Sequence, residues 1–328
     1  MMDIVYASDD NYADILGVSL VSLFESNKGE ALSVHILDDG IGSENKARLL
    51  SLGEKYRQDI SFYDVTRYFK SELDPHHLTM STFSRLYMGS ILNEAVDRVL
   101  YLDCDIMIRK NLRRLWSADL TGLYAAAVSD CLSASHRTAI GLGSSSIYFN
   151  AGVLLVNLGL WRQDRLPKEF VHFTEKYGGN VLYADQGILN GVMSGKTKLL
   201  PPEYNCYTLL FDFSYDDLLI YRKPSKFYSR QQVTAAVSDP AIVHFTANIL
   251  SLRPWEKGCD HPYAGEWLSY KAMSPWADTP LRQDNRKLWR KAAARLYRLV
   301  PGKILLYTAG FLNTVVKPFM YTAFFHKK

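Results

Sequence analysis

Val99-Leu100-Tyr101-Leu102-Asp103-Cys104-Asp105-Ile106-Met107-Ile108 begins as an apolar run of strand type and stops abruptly at paired acids. Side chains alternate along a strand, so Asp103 and Asp105 share a side if the extended geometry persists. Carboxylates that close repel each other unless a cation or a proton lies between them. A hard divalent ion with oxygen ligands meets that need. For a D-x-D taken alone, a strand end followed by a polar turn with an Asx cap is the commoner reading, because short motifs recur by accident.

Upstream of this stretch the chain alternates strand and helix. Residues 3–8, 32–37 and 60–65 read as strands, and residues 12–26 carry apolar residues at helical spacing. Ser43 is expected to cap a helix ending at Tyr56, and a further helix is expected around residues 82–94. The alternation predicts an α/β fold with a mostly parallel sheet wrapped by helices. Ligands of such sheets collect beyond the carboxyl ends of strands. Asp9 and Asn11 after the first strand should therefore face the same crevice as Asp103 and Asp105. No G-x-G-x-x-G follows the first strand and no G-x-x-x-x-G-K-[ST] occurs, which removes most support for dinucleotide-dehydrogenase and P-loop chemistry.

Downstream, residues 124–128 predict a strand ending at Ser129-Asp130. Residues 148–157 predict another, with Asn150-Ala151-Gly152 at its start. Small residues there admit a ligand or a second backbone, or mark a simple bulge. Residues 183–190 read as a helix start, where Asp185 suits a cap. Residues 200–240 read as irregular loops and short strands rich in Tyr and Phe. Residues 241–245 form a short strand carrying His244, a residue that in such a place is more often structural than a ligand.

The C-terminal end differs in kind. Arg286, Lys287, Arg290, Lys291, Arg295 and Arg298 are interleaved with Leu288, Trp289, Leu296, Tyr297 and Leu299, a basic amphipathic helix. The apolar run at 304–316 would be about 20 Å long as a helix, short of the ~30 Å hydrocarbon core. It is expected to lie in a membrane interface, drawn there by anionic lipid, with packing on the domain or on a partner as the alternative.

The 328 residues suffice for one large α/β domain with an appendix, or for two domains. No disulfide or metal staple is needed at this size. A net charge of +4 says little by itself, its distribution saying more, and no nucleic-acid partner is expected. Cys104, Cys131, Cys206 and Cys259 are scattered, which argues against a zinc ribbon and a disulfide framework and suits a reducing cytosol. The N-terminus has neither a basic n-region nor an apolar h-region, so no signal peptide is expected.

Several stretches recur in a telling order. They are Ile4-Val5-Tyr6-Ala7-Ser8-Asp9-Asp10-Asn11-Tyr12, Ser84-Arg85-Leu86, Leu100 through Asp105, Phe149-Asn150-Ala151-Gly152-Val153, Asp185-Gln186-Gly187-Ile188-Leu189-Asn190, and His244 with Arg253-Pro254-Trp255. Over roughly residues 3–260 this resembles family 8 glycosyltransferases, the retaining bacterial lipooligosaccharide galactosyl- and lipopolysaccharide glucosyltransferases. The likeness is greatest to the α-1,4-galactosyltransferase type.

The resemblance implies a GT-A fold, an α/β/α sandwich with a mixed, mostly parallel sheet, over residues 1–270. A basic, aromatic, membrane-associating tail would follow at 271–328. It implies transfer of a hexose from UDP-galactose or UDP-glucose to an oligosaccharide or glycolipid acceptor, in lipopolysaccharide or other surface-glycan synthesis. The enzyme would work with Mn²⁺ or Mg²⁺, on the cytoplasmic face of the plasma membrane. Carried over residue by residue, Asp103, Asp105 and His244 are the metal ligands, a donor set that suits Mn²⁺. Ala7, Asp9 and Asn11 match positions that hold uracil and ribose. Arg85, Asn150, Ala151, Asp185 and Gln186 match positions around the donor sugar and phosphates. Cys104 and Arg253 join the donor-binding set, Cys104 as a small filler without a redox part. His77 and Asp130 match acceptor-side positions.

The chemistry suits these residue types. Departure of UDP leaves negative charge on a diphosphate oxygen, which a cation stabilises as a Lewis acid and Arg85 and Arg253 stabilise by charge-assisted hydrogen bonds. The anomeric carbon passes through an oxocarbenium-like state. Double displacement needs a carboxylate under the sugar, where the resemblance offers the amide of Gln186. That favours a front-face mechanism in which the leaving phosphate helps deprotonate the acceptor hydroxyl, with Asp185 binding sugar hydroxyls. The chain departs from the family after His244: the loop to Trp255 is longer, lacks Gly, and carries Arg253 for Lys, a fork in place of a point charge. A sugar nucleotidyltransferase, one alternative, would carry a Gly-rich, Arg-containing loop where Asp9-Asp10-Asn11 stands. An inactive nucleotide-sugar-binding relative is opposed by the intact Asp103, Asp105, Asp185 and Gln186.

Overall fold

The computed structural model describes residues 1–66, 83–248, 250–299 and 302–325. Its strands, in chain order, are β1 (Met2–Ser8), β2 (Leu32–Asp38), β3 (Asp59–Asp64), β4 (Arg98–Leu102), β5 (Ile106–Ile108), β6 (Ala125–Ser129), β7 (Phe149–Asn157), β8 (Thr197–Leu199), β9 (Cys206–Tyr207) and β10 (Ile242–His244). Ile4, Val5 and Tyr6 are all buried, so β1 is covered on both faces, as a central strand of a helix-wrapped sheet must be. The large sheet runs β3-β2-β1-β4-β7-β6-β8 and the small one β5-β10-β9. In the large sheet β7 alone opposes its neighbours β4 and β6; the other pairings are parallel. This is the mixed, mostly parallel sheet of an α/β fold.

Sheet order positions the site. From β1 the chain steps outward to β2 and β3, through the Ala13–Ser26 and Ser43–Tyr56 helices, then returns to β4 on the other side of β1. The order reverses between β1 and β4, and beyond the carboxyl ends at such a reversal is where sheets of this kind bind ligands.

Three local expectations change. Ser43 is the first helical residue, not the cap. Gly42 holds the cap position, and Asp10 Oδ1 accepts from the Gly42 amide and from Asn45 Nδ2, each at 2.8 Å. The described part of the helix expected at 82–94 is helical at 83–84, tightens to 3₁₀ at Arg85–Tyr87 and resumes as one helical turn at Met88–Ile91. Residues 200–240 are largely helical, at Leu209–Asp212, Tyr215–Arg222 and Arg230–Ser238. The last of these opens with a capping box between Ser229 and Gln232, a Ser-x-x-Gln signal present in the sequence.

Past residue 270 the chain first returns to the core. Trp276 is buried on Gly17, where any Cβ would meet its ring. Arg282 donates to Asp14 Oδ1 and to Asn11 O, both at 2.7 Å. Helices then follow at Leu288–Leu299, Gly302–Phe311 and Lys317–Phe325, the last two joined by a π-helical turn at Leu312–Val316. Leu306 is buried with Tyr207, Leu210 and Leu218. Gly310 lets the backbones meet, since a Cβ there would stand 2.7 Å from Ile220 O. Ser135 Oγ donates to Thr314 O, and Tyr321 OH to Asn180 O. The outer side exposes Leu288, Trp289, Ile304, Phe311, Phe319 and Phe324. No helix among the described residues is long and apolar enough to cross a membrane.

Candidate active site

Strands β4 and β5 belong to different sheets, and residues 103–105 form the turn between them. The extended geometry does not persist, so Asp103 and Asp105 converge through the turn and not through strand alternation. Each is pinned by its backbone. The Asp103 amide donates to Gly152 O at 2.9 Å, and Asp105 O accepts from the Phe245 amide at 2.8 Å. Strand β10 pairs antiparallel with β5, with His244 opposite Ile106. That register brings the imidazole to the acids: His244 Nε2 lies 3.1 Å from Asp105 Oδ1 and 3.6 Å from Asp103 Oδ2.

These three side chains offer ligand atoms within 4.8 Å of one another. A small octahedral cation sets adjacent ligands about 3 Å apart, so the trio fits one with little adjustment. The neighbouring backbone leaves the room. A Cβ at position 152 would stand 2.8 Å from Asp103 Oδ2 and would collide with the His244 ring. Two carboxylates and an imidazole suit Mn²⁺, and the residues present fit the divalent cation that the sequence implied. Burial alone would lower the His244 pKa, but Asp105 and then Asp103 outweigh it and raise it. Burial alone would raise Asp105, but His244 and Arg253 hold it below the usual carboxylate range.

Arg85 connects this trio to the helix at Ala184–Met193. Its guanidinium contacts Asp103 Oδ1 at 2.9 Å, Asp185 Oδ2 at 3.0 Å and Ala151 O at 2.9 Å, and lies 4.5 Å from the centre of the Tyr101 ring. Asp185 does not cap its helix. Tyr183, in a left-handed conformation, holds that position, and the Asp185 carboxylate turns to Arg85. Burial pushes the Asp185 carboxyl up to about 6, Arg85 opposing and Asp103 adding to the rise.

Gln186 has a fixed orientation. The Ala151 amide donates to its Oε1 at 3.1 Å, and its Nε2 donates to Asp130 Oδ2 at 2.9 Å. A backbone amide only donates and an ionised carboxylate only accepts, so the side chain has one consistent pose. Arg222 approaches Asp130 at 4.0 Å and donates through Nε to Cys131 O at 3.0 Å. Asn150 turns its oxygen inward, accepting from the Gly152 amide at 3.0 Å and from Asn205 Nδ2 at 2.8 Å.

On the β1 side, Cys104 Sγ donates to Ala7 O at 3.1 Å, and burial raises the thiol pKa, which leaves it unreactive. Asp9 Oδ1 accepts from the Tyr12 amide at 3.1 Å and Asp9 Oδ2 from Asn11 Nδ2 at 3.3 Å. Arg253 donates to Tyr12 OH at 3.0 Å and lies 4.9 Å from the Trp255 ring centre. The structure thus links Asp103, Asp105, His244, Arg85, Asp185, Ala151, Asn150, Gln186 and Asp130 by direct contacts, with Ala7 joined through Cys104. His77 lies outside the described residues. The sequence reading missed Arg222 and Asn205. Arg222 sits in a helix read as loop and carried no signal; Asn205 follows Pro201-Pro202, a turn signal that was there to read.

Residues 3–259 match the model of Glycosyl transferase family 8. General stress protein A of Bacillus subtilis is 27% identical over 84% of this chain and 95% of its own length. A lipopolysaccharide 1,2-glucosyltransferase of Escherichia coli is 27% identical over 97% of this chain and 90% of its own. Among solved structures, an active-site variant of LgtC superposes with a TM-score of 0.72 at 28% identity, over 84% of this chain and 96% of that one. The galactosyltransferase LgtC in complex with donor and acceptor sugar analogues gives a TM-score of 0.70 over the same shares.

Proposed function

The chain belongs to glycosyl transferase family 8, and from that premise we propose that it transfers galactose or glucose from a UDP-sugar, with retention, to a hydroxyl of a bacterial surface glycan or glycolipid. The observation that carries this reading is the convergence of Asp103, Asp105 and His244 with the Arg85–Asp185 pair and Gln186 in one crevice. The names of the Escherichia coli glucosyltransferase and of LgtC support the two hexoses and the glycan acceptor.

In this reading the three converging side chains hold Mn²⁺ or Mg²⁺. When bound, the cation supplies positive charge to the diphosphate as it leaves. Ala7, Asp9 and Asn11 border the nucleoside, with Cys104 filling the space behind Ala7. Arg253, held by Tyr12 and Trp255, reaches the phosphates with a guanidinium fork. Arg85 holds Asp185 ionised and aimed at the sugar hydroxyls. Gln186 presents its amide beneath the sugar, with Asn150 and Ala151 forming the adjoining wall. Its oxygen is already engaged by the Ala151 amide, which weakens it as a nucleophile and favours departure of UDP and entry of the acceptor on one face. Asp130, with Arg222 behind it, borders the acceptor, and His77 belongs to the same side. The domain runs past the expected boundary at 270 to include Trp276 and Arg282, which pack on Gly17 and Asp14, and the tail begins at the Leu288–Leu299 helix. The tail lies on the inner face of the plasma membrane through its basic helix and exposed apolar side, and so meets a lipid-borne acceptor where it resides.

The test is release of UDP from UDP-galactose and UDP-glucose with and without Mn²⁺, followed by NMR of the anomeric centre of the product. Metal-dependent release from one of the two donors and an α-configured product are expected. Absence of release from both donors at any Mn²⁺ concentration defeats the reading.

A further inference from the structure

The imidazole of His244 can meet a cation through Nε2 only if its proton resides on Nδ1. The fold contains a chain of groups that enforces this. It starts at the Gly152 amide, which can only donate and which points at Asn150 Oδ1 at 3.0 Å. Asn150 therefore presents its oxygen there. Asn205 lies 2.8 Å from that same oxygen and must turn Nδ2 toward it. Turning Nδ2 one way turns Oδ1 the other, and Oδ1 stands 2.9 Å from His244 Nδ1. An amide oxygen accepts and does not donate, so Nδ1 carries a proton, and Nε2, 3.1 Å from Asp105 Oδ1, is the nitrogen left to meet a cation between Asp103 and Asp105. Reversing either amide would set oxygen against oxygen or amino group against amide hydrogen, in a place where Asn205 is fully buried and an unpaired polar atom costs about 1–3 kcal/mol.

We propose that Asn205 is the positioning residue of the candidate metal site, setting the tautomer and ring plane of His244 through a relay that begins at the Gly152 backbone. The circuit closes on itself, since Gly152 O accepts from the Asp103 amide at 2.9 Å. One glycine thus supplies the space for the ligands, the anchor of Asp103, and the donor that orders both amides. Asn205 bears on the metal site through His244 and also holds Asn150, so Mn²⁺ binding, not turnover, is the readout that isolates its action on the metal site. The inference rests on the reading of Asp103, Asp105 and His244 as metal ligands, and its test separates the two.

The experiment uses the full chain labelled with ¹⁵N-histidine. With Mg²⁺ bound as a diamagnetic cation, long-range ¹H–¹⁵N spectra are expected to show the His244 proton on Nδ1; a proton on Nε2 in that state overturns the relay. Mn²⁺ binding is then measured by calorimetry without donor. Asn205→Leu, close in volume and unable to hydrogen-bond, is expected to weaken Mn²⁺ binding by about 10- to 100-fold, the usual effect of losing a partner of a ligating histidine. Asn205→Asp keeps an acceptor for Nδ1 but sets a carboxylate oxygen against Asn150 Oδ1, so its Mn²⁺ binding is expected to fall between wild type and Asn205→Leu. A folded Asn205→Leu that binds Mn²⁺ like wild type overturns the proposal. A wild type that binds neither Mn²⁺ nor Mg²⁺ overturns the metal reading and Asn205's part in it. If Asn205→Leu does not fold, the wild-type spectrum decides alone.

Discussion

The cradle around Asp103, Asp105 and His244 and the helical tail from Leu288 onward dispose of polar and apolar groups in opposite ways. In the cradle, backbone amides and buried side chains assign each donor and acceptor a partner, and His244 is 3% exposed. In the tail, Leu288 is 85% and Ile304 72% exposed, while Leu306, Gly310, Thr314 and Tyr321 seat the inner side against the body. A site built the first way is over-determined, so one added methyl group breaks it. A surface built the second way works by summation, so single changes erode it gradually.

Asp105→Asn tests the steep end. It removes a charged member of the trio, and UDP release is expected to fall by about 10²–10³-fold, as when one electrostatic stabiliser of a transition state is lost. Activity within tenfold of wild type would show the cradle to be less determined than its contacts suggest. Gly152→Ala comes next. Its Cβ meets Asp103 and His244, and Mn²⁺ binding by calorimetry is expected to weaken by about 10- to 100-fold, the scale on which disturbing the partners of metal ligands acts.

The tail should respond less steeply. Lys287→Glu with Arg290→Glu reverses charges that are each worth about 1 kcal/mol at an anionic surface. Partition onto phosphatidylserine vesicles is expected to fall by roughly tenfold or more, with UDP release in solution unchanged. Loss of that release would tie the tail to the chemistry and break the contrast.

A further test concerns stability in acid. His136 packs against Tyr183 beneath the tail, and burial first, then Arg222 and Lys317, lower its pKa from 6.5 to about 3. The unfolded chain binds the proton more tightly, so stability is unaffected above pH 6.5 and declines as pH falls from 6.5 toward 3. The slope is at most about 1.4 kcal/mol per pH unit. His136→Gln cannot titrate there, and chemical denaturation of the variant should show a shallower decline. Asp185, raised to about 6, works in the opposite sense: the folded state binds its proton more tightly, so its contribution to stability grows as pH falls from 6 toward the ordinary carboxylate range.

Much of the fold was legible because strands β1 to β4 and the first two long helices carry local periodicities, and the apolar run into Asp103 marks a strand end whatever surrounds it. The helix at Tyr215–Arg222 was not, because Phe211, Phe213, Tyr215 and Tyr221 crowd it, nor was that at Arg230–Ser238, whose apolar residues are only Val233, Ala235, Ala236 and Val237, although the Ser229–Gln232 box was readable. Asp185 illustrates a different failure. At a helix start an acid suits capping on local grounds, and its actual partner, Arg85, reaches it from a distant segment.

By itself, the sequence determined the alternation of strands and helices, the order of the motifs, and the kinds of ligand atom on offer, because these depend on residue type and short-range spacing. Only the tertiary structure decided that Asp103 and Asp105 meet across a turn between two sheets. It also decided that His244 joins them by the pairing of β10 with β5, and that Asn205 orients His244. Those facts depend on strand register and on which buried polar groups come to face each other, and neither is a property of any single stretch of chain.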